Sequence, residues 1–329
     1  MDFISSMKER ARQDRKRIIL PEGEDVRISK AVEIITKEDF ADVIMVGNPE
    51  VLKATAKDYD ISKATIVDPL TDPNREKYIN AFYELRKNKG MTIEKAEEIL
   101  KDPVYYGAMM MKMDDADGLV SGAIHSTSDT LRPALQILKT APGVGLVSAF
   151  FLMVVPNCEF GENGVFIYSD AGLNENPNAE QLSEIAVTSG RTFKQLVGKE
   201  PNIAMLSYST YGSAHSELTD KVIEATKLAK AKAPELNIDG ELQLDAAIVP
   251  SVGESKAKGS SVAGKANVLI FPDLNAGNIG YKLTERLAKA EAYGPVTQGI
   301  AKPFNDLSRG CKAEDIAGVV AITAVQAQG

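Results

Sequence analysis

The sequence predicts an α/β protein whose sheets are largely parallel and buried on both faces. Short apolar, β-rich runs alternate with amphipathic helical patterns from one end of the 329-residue chain to the other. The predicted strands are continuous apolar runs, which is typical of parallel strands covered by helices on both sides. Because a domain usually takes about 100–200 residues, the chain is long enough for two.

The first half of the chain predicts strands joined by helices. We expect strands in the apolar runs at 17–20, 41–47, 64–69 and 117–124. Between the first two, apolar side chains recur at helical spacing over 26–35. A further helix is predicted to begin with Asp72 as its N-cap and Pro73 as its first residue, and to end near Arg86.

The second half of the chain changes character at 140–143, where Thr-Ala-Pro-Gly indicates a domain boundary. Two long apolar runs, 144–155 and 164–170, follow one another across a turn-rich segment, which predicts an antiparallel hairpin. Asn178 and Gln181 form a capping-box start for a helix that continues to 197. We then expect strands at 202–208, 266–273 and 296–301, and helices at 222–231, 280–288 and 315–326.

The charge balance excludes some classes of partner. The chain has 46 acidic and 38 basic residues, which gives a formal net charge of −8. This balance argues against a broad nucleic-acid or anionic-membrane surface, so we expect no nucleic acid and no membrane as partner. A small anionic ligand is compatible with this net charge. Salt screens surface charges over about 8 Å, so a few local arginines decide whether an anion binds.

Cysteine content and apolar runs predict the compartment. Two cysteines, Cys158 and Cys311, are too few for a disulfide framework and indicate a reducing environment. The longest apolar run, 144–155, is shorter than the roughly 18 residues that a membrane helix needs. The first twenty residues lack the apolar core of a signal peptide. We therefore expect a cytoplasmic protein.

Several common enzyme motifs do not occur in the sequence. The Gly-Lys pair at 264–265 is followed by Ala266 instead of Ser or Thr, which excludes a P-loop there. The two histidines, His125 and His215, are isolated, and we interpret each as a turn or structural residue. The sequence shows no cluster of metal ligands, so no metal site is predicted.

The most informative segment is AKPFNDLSRGCKAEDIAGVVAI at 301–322. Its polar residues Asn305, Ser308 and Arg309 precede Gly310 and a strongly predicted helix. Backbone N–H groups at such a junction favour an anion, and an arginine fork suits phosphate oxygens. Asp315 falls in the first turns of the helix. The alternative is that Ser308 caps the helix and Asp315 only offsets its dipole.

Five segments resemble the phosphate acetyltransferase (phosphotransacetylase) family, in its short single-chain form. They are the segment just described and SVAGKANVLIFPDLNAGNIGYK at 261–282, PEGED at 21–25, SGAIHSTSDTLRPALQ at 121–136 and DGELQLDAA at 239–247. The resemblance covers essentially the whole chain. It implies two α/β/α lobes with largely parallel sheets flanking a central cleft, as in isocitrate and isopropylmalate dehydrogenases. The lobes are expected at 1–143 plus 297–329 and at 144–296, with a homodimer formed through the second lobe.

The resemblance also implies a reaction and its residues. Members interconvert acetyl-CoA plus phosphate with CoA plus acetyl phosphate, by direct attack of the CoA thiolate on acetyl phosphate. On the matching positions, Asp315 is expected to take the thiol proton, Ser308 to stabilise the oxyanion or place the thiol, and Arg309 to bind the phosphoryl group.

Three further residues are implied as substrate contacts. Arg86 and Arg132 match family arginines associated with CoA, and Asn305 is expected to position acetyl phosphate. CoA enters as a substrate, and no permanently bound cofactor is expected. Without the resemblance, the position of Arg86 near a helix C-terminus favours a simple interaction with the helix dipole. Cys311, beside the Ser-Arg pair, is expected to have no chemical role because transfer is direct.

Three other functions compete with this one. Phosphate butyryltransferase has the same chemistry and a roomier acyl pocket. A non-catalytic acetyl-CoA sensor, like the module attached to some malic enzymes, could lack the Ser308, Arg309 and Asp315 set that this chain retains. A dehydrogenase of the isocitrate type would need an acidic metal cluster and a nucleotide loop that the sequence does not show.

Overall fold

A computed structural model describes residues 3–329, and its elements alternate as the sequence predicts. In chain order the strands are β1 (Arg17–Leu20), β2 (Asp42–Val46), β3 (Thr65–Val67), β4 (Gly118–Val120), β5 (Ser148–Val154), β6 (Val165–Ser169), β7 (Asn202–Leu206), β8 (Asn237–Leu242), β9 (Val268–Ile270), β10 (Glu291–Gln298) and β11 (Phe304–Asn305). The helices are α1 (Phe3–Gln13), α2 (Val26–Glu38), α3 (Pro49–Thr55), α4 (Arg75–Arg86), α5 (Ile93–Ile99), α6 (Pro103–Lys112), α7 (Thr127–Pro133), α8 (Ala179–Val197), α9 (Glu217–Lys232), α10 (Leu244–Ile248), α11 (Pro250–Lys256), α12 (Leu274–Leu287) and α13 (Ala313–Gln326).

The chain divides into two compact units, each built on its own sheet. The first unit extends to Pro142 and resumes over Ile300–Gly329, and the second is Gly143–Gly299. The first sheet has the strand order β11-β4-β1-β2-β3 with parallel pairing throughout. Helix α13 packs on α1, α2 and β4 in this unit. The prediction of a parallel sheet buried on both faces is confirmed here, since Ile18, Ile19 and Leu20 of β1 are fully buried.

The second unit contains a mixed sheet with the order β10-β5-β6-β9-β7-β8. Strands β6, β9, β7 and β8 are parallel, whereas β5 pairs antiparallel with both β6 and β10. The predicted hairpin between the runs at 144–155 and 164–170 is therefore confirmed. Helix α8 begins with the predicted capping box, in which Asn178 and Gln181 exchange side-chain-to-backbone hydrogen bonds. The core of this unit includes a stacked pair, Phe151 and Tyr281, with ring centroids 3.7 Å apart.

The predicted start of α4 is wrong by two residues. The helix begins at Arg75 with Asn74 as its N-cap residue, and Asp72 and Pro73 lie in the preceding turn. The turn is closed by the N–H of Arg75, which donates to the carbonyl of Asp72 at 3.0 Å. The Asp72 carboxylate accepts from the N–H of Asn74 at 3.1 Å and from the hydroxyl of Tyr106 at 2.7 Å. A tertiary contact therefore holds Asp72 outside the helix.

No helix among residues 3–329 is both long enough and apolar enough to cross a membrane.

Candidate active site

The bend before α13 presents a serine and an arginine to solvent. Ser308 and Arg309 are exposed, and the Arg309 guanidinium has no ion-pair partner among residues 3–329. The bend is closed by the N–H of Cys311, which donates to the Ser308 carbonyl at 2.9 Å. Gly310 donates its N–H to Ser308 Oγ at 3.4 Å. A hydroxyl and a guanidinium are thus available side by side for a ligand with anionic oxygens.

Asp315 occupies the first turn of α13. Its Oδ2 accepts from the N–H of Lys312 at 2.8 Å, and the side chain is half-buried. Asp315 therefore stabilises the N-terminus of α13, as one half of the alternative interpretation of this segment expected. The other half of that alternative is wrong, because Lys312 is the N-cap residue and Ser308 lies four residues before it. Oδ1 of Asp315 accepts no hydrogen bond from residues 3–329.

Asn305 lies away from the exposed bend. Its side chain is fully buried in β11, and its Nδ2 donates to Thr323 Oγ1 at 2.8 Å and to Gln326 Oε1 at 2.7 Å. These acceptors belong to the far end of α13. The geometry gives Asn305 the role of holding α13 against the sheet, so the expected contact with acetyl phosphate has no support in its placement.

A buried carboxylate in the first unit organises the segment at 121–126. Glu22 follows β1 and its side chain is fully buried. Its two oxygens accept the backbone N–H groups of the four residues from Gly122 to His125, at 2.8–3.2 Å. Glu22 Oε1 also lies 2.6 Å from His125 Nδ1. Five polar contacts therefore fix this turn, which Ser126 continues as the N-cap of α7.

A second buried carboxylate joins this turn to the bend. Asp306 is 1% exposed, and its Oδ2 accepts from the Thr127 hydroxyl at 2.7 Å. Burial, together with a smaller effect of the nearby Glu22 charge, raises the pKa of Asp306 to about 6. Gly122 has a φ of +112°, and a Cβ there would lie 2.7 Å from the N of Leu307 and in contact with Asp306 Oδ1. Only glycine allows the turn to approach the bend this closely.

Arg27 ties three segments of the first unit together through their backbones. One guanidinium nitrogen donates to the carbonyls of Arg309 at 2.8 Å and Cys311 at 2.9 Å, and the other donates to Ala123 at 2.9 Å. Asp25 holds the same guanidinium by an ion pair of 2.6 Å, and this hydrogen bond lowers the pKa of Asp25. The sequence reasoning missed this residue. Its only signal was that it lies two residues after PEGED, one of the matched segments.

The two arginines expected to bind CoA lie near one tyrosine. Arg86 is the last residue of α4, and Arg132 lies in α7 with an ion pair of 3.1 Å to Asp129. Burial raises the pKa of Tyr105 on α6, while the charges of Arg132 and Arg86 both act to lower it. Both guanidinium groups therefore lie within electrostatic reach of the Tyr105 hydroxyl. The fold thus places two arginines that are 46 positions apart in the sequence near the same tyrosine.

Cys311 is unsuited to act as a nucleophile. The side chain is buried, and burial raises the pKa of its thiol to about 11, even though the charge of Arg27 acts in the opposite direction. A thiol with such a pKa stays protonated near neutral pH. Its placement agrees with the expectation that Cys311 has no chemical role. Within residues 3–329, no three His, Cys, Asp or Glu side chains converge as a metal site would require.

An exposed Ser-Arg bend on a parallel sheet, ahead of a helix N-terminus, defines an α/β protein equipped to bind a phosphate-bearing ligand. The chain belongs to the family described as Phosphate acetyl/butaryl transferase, which matches residues 2–324.

Individual relatives and solved structures agree with this family. The chain is 65% identical to the phosphate acetyltransferase of Acetivibrio thermocellus, over 100% of this chain and 99% of the relative. It is 54% identical to that of Clostridium acetobutylicum, over 100% and 99%. The structure of EutD phosphotransacetylase from Staphylococcus aureus superposes with a TM-score of 0.91 at 43% identity, covering 99% of this chain and 98% of that one. The predicted fold class is confirmed.

Proposed function

We propose that the chain transfers an acetyl group between coenzyme A and inorganic phosphate, forming CoA and acetyl phosphate from acetyl-CoA and phosphate, reversibly. The observation that carries this proposal is the exposed Ser308–Arg309 bend. Arg27 and Asp25 hold its backbone in place, while its side chains stay available. Relatives that cover the whole chain at 54–65% identity bear the name phosphate acetyltransferase, which favours this reaction.

The bend suits direct transfer from acetyl phosphate to CoA. The thiolate sulfur forms a bond with the carbonyl carbon, and the bond from that carbon to the phosphate oxygen breaks. Arg309 balances the charge of the departing phosphate, and the Ser308 hydroxyl donates to the carbonyl oxygen as it becomes negative. One preorganised oxyanion donor is typically worth about 2.7–4 kcal/mol of barrier.

Asp315 is proposed to accept the proton of the CoA thiol. A free thiol with a pKa near 8.5 is only a few per cent thiolate at pH 7, so a nearby base increases the reactive fraction. The support from the structure is positional. Asp315 lies on the first turn after the bend, and its Oδ1 is left without a hydrogen bond from residues 3–329.

Arg86 and Arg132 are proposed to bind a phosphate group of CoA. Their shared position near Tyr105 places two guanidinium groups on one part of the first unit. Guanidinium groups match phosphate oxygens in geometry, and each such contact to a charged group is typically worth about 1.5–3 kcal/mol. CoA is a substrate in this scheme, and we propose that no cofactor stays bound between turnovers.

The test is a thioester-absorbance assay with acetyl phosphate and CoA. We expect the wild-type chain to form acetyl-CoA, and Arg309→Ala to lose roughly 10²–10³-fold in kcat with an unchanged melting temperature. Arg191→Ala is the matched control, because Arg191 is an exposed arginine paired with Glu235 in the second unit. Near wild-type turnover by Arg309→Ala would refute the role of Arg309 in binding the phosphoryl group. Butyryl phosphate in the same assay decides between acetyl and butyryl transfer.

We also propose that the chain acts as a homodimer, with the two compact units as its two lobes and the second unit at the interface. Helix α12 exposes Ile279, Leu283 and Leu287 at 57%, 52% and 79%, on one face at a spacing of four residues. Light scattering should give twice the chain mass for the wild type and one chain mass for Leu283→Glu/Leu287→Glu. Leu218→Glu, at an equally exposed leucine on α9, is the control.

We place the dimer in the cytoplasm, in keeping with two free cysteines.

A further inference from the structure

We propose that His125 is a second acid–base residue of this reaction and that it serves the phosphate side. This inference rests on the proposed acetyl transfer and adds a residue to it. The sequence alone indicates only an isolated turn histidine. The structure instead shows a histidine whose one ring nitrogen is held by a buried carboxylate and whose other ring nitrogen is open.

Glu22 determines which nitrogen of His125 carries the proton. An ionised carboxylate can only accept hydrogen bonds, and Glu22 already accepts four from backbone N–H groups. The ring nitrogen 2.6 Å away must therefore be the donor, so Nδ1 holds the hydrogen. In the neutral ring, Nε2 is then a proton acceptor. It has no hydrogen-bond partner among residues 3–329, and the side chain is 35% exposed.

The turn that carries His125 packs directly on the bend. Gly122, three residues before His125, abuts Leu307, which precedes Ser308. Thr127, two residues after His125, donates its hydroxyl to Asp306. The Arg27 guanidinium adds a third link, because it joins the carbonyl of Ala123 to that of Arg309. His125 is thus bracketed by contacts to the segment that carries the proposed phosphate-binding side chain.

The phosphate side of the reaction needs a proton acceptor in one direction and a donor in the other. When hydrogen phosphate attacks acetyl-CoA, an oxygen–carbon bond forms, the carbon–sulfur bond breaks, and the phosphate hydroxyl loses its proton to Nε2. In the reverse direction, protonated Nε2 returns that proton to the phosphate oxygen that leaves the carbonyl carbon. Asp315 handles the thiol proton in each case. A histidine ring nitrogen can both take up and return a proton, which suits general acid–base catalysis.

The first experiment compares His125→Gln with His215→Gln in both directions of the assay. We expect His125→Gln to lose roughly 10²–10⁴-fold in kcat, with KM for CoA within about twofold of wild type. His215→Gln, at the other histidine of the chain, should keep wild-type rates. Added imidazole should restore part of the activity of His125→Ala and none of that of Arg309→Ala. A structural role would not respond to imidazole.

A second experiment does not depend on the folding of a variant at position 125. His215→Gln leaves His125 as the one histidine of the sequence. Diethyl pyrocarbonate should acylate Nε2, because Glu22 holds Nδ1. We expect activity to fall in proportion to carbethoxyhistidine absorbance, and inorganic phosphate to slow both changes. Full activity after complete modification would overturn the proposal, as would a His125→Gln variant with more than about a third of wild-type kcat. A wild-type chain that forms no acetyl-CoA would instead refute the proposed function.

Discussion

Replacing Asp306 with asparagine should change how the stability of the protein depends on pH. The carboxyl group is 1% exposed and lies near a second buried carboxylate, Glu22. Its Oδ2 accepts from Thr127, whereas Oδ1 is buried without a hydrogen-bond partner among residues 3–329. Water stabilises the ionised form of Asp306 in the unfolded chain far better than this surrounding does in the folded one. Asparagine keeps the shape and removes the ionisation.

The size and sign of the effect follow from the pKa of Asp306. Burial raises that pKa from the ordinary 3.8 to about 6. Between these values the unfolded chain has released a proton that the folded chain keeps, so the free energy of unfolding falls by about 1.4 kcal/mol per pH unit. The stabilising contribution is complete below pH 3.8 and is lost as pH rises through about 6. The total loss is about 3 kcal/mol.

Urea denaturation of both chains from pH 4 to pH 8 measures this effect. The free energy of unfolding of wild type minus that of Asp306→Asn should fall by about 2.5 kcal/mol between pH 4 and pH 7 and then level off. Asp58→Asn, which removes an exposed carboxyl group, is the control for the loss of one charge. A difference that stays constant over this range would show that Asp306 titrates normally in the folded chain, and the account of its burial would fail.

Three further outcomes follow from the site. Arg86→Ala and Arg132→Ala should each raise KM for CoA by roughly 10–100-fold, the equivalent of about 1.5–3 kcal/mol, and leave KM for acetyl phosphate unchanged. Initial rates at varied concentrations of each substrate test this. Ser308→Ala should lower kcat roughly 10²–10³-fold with little change in either KM, as measured in the same assay, and a change confined to KM would contradict its oxyanion role. Gly122→Ala should lower the free energy of unfolding by about 2 kcal/mol or more, because its Cβ would meet Leu307 and Asp306 at a positive φ; thermal denaturation of the variant would refute this if its midpoint matched wild type.

The sequence was sufficient for elements whose apolar pattern decides their structure. Strands β1, β2 and β5 are continuous apolar runs, and α8 carries its own capping box, so local chemistry alone predicts them. Strand β8 was missed because it contains Asp239 and Glu241, whose burial depends on partners elsewhere. The Asp239 carboxylate accepts from Lys230 at 2.8 Å, and Glu241 accepts from Ser209 at 2.9 Å. The spacing of apolar residues does not predict that carboxylates will be buried with such partners.

The candidate site likewise has a part that local sequence predicts and a part that depends on distant contacts. Ser308, Arg309 and Asp315 are neighbours in sequence, so a short motif could predict their proximity. The contacts that fix the turn and the bend could not be predicted, because Glu22 meets the backbone of the turn about 100 positions away and Arg27 reaches Arg309 in the bend across 282 positions. The placement of Asn305 could not be predicted for the same reason. A polar residue within a matched motif suggested a ligand contact, whereas its amide is used by Thr323 and Gln326 of α13.

Arg27 holds the bend through main-chain atoms. The backbone conformation of the bend therefore does not depend on the side chains that carry its chemistry. The Arg27 nitrogens donate to main-chain oxygens at Ala123, Arg309 and Cys311, and those oxygens are present whatever side chain stands there. The exposed side chain at 309 can therefore be exchanged, in the laboratory or over evolutionary time, while the loop remains anchored. Such a loop is a favourable starting point for engineering an acyltransferase toward a different anionic acyl donor.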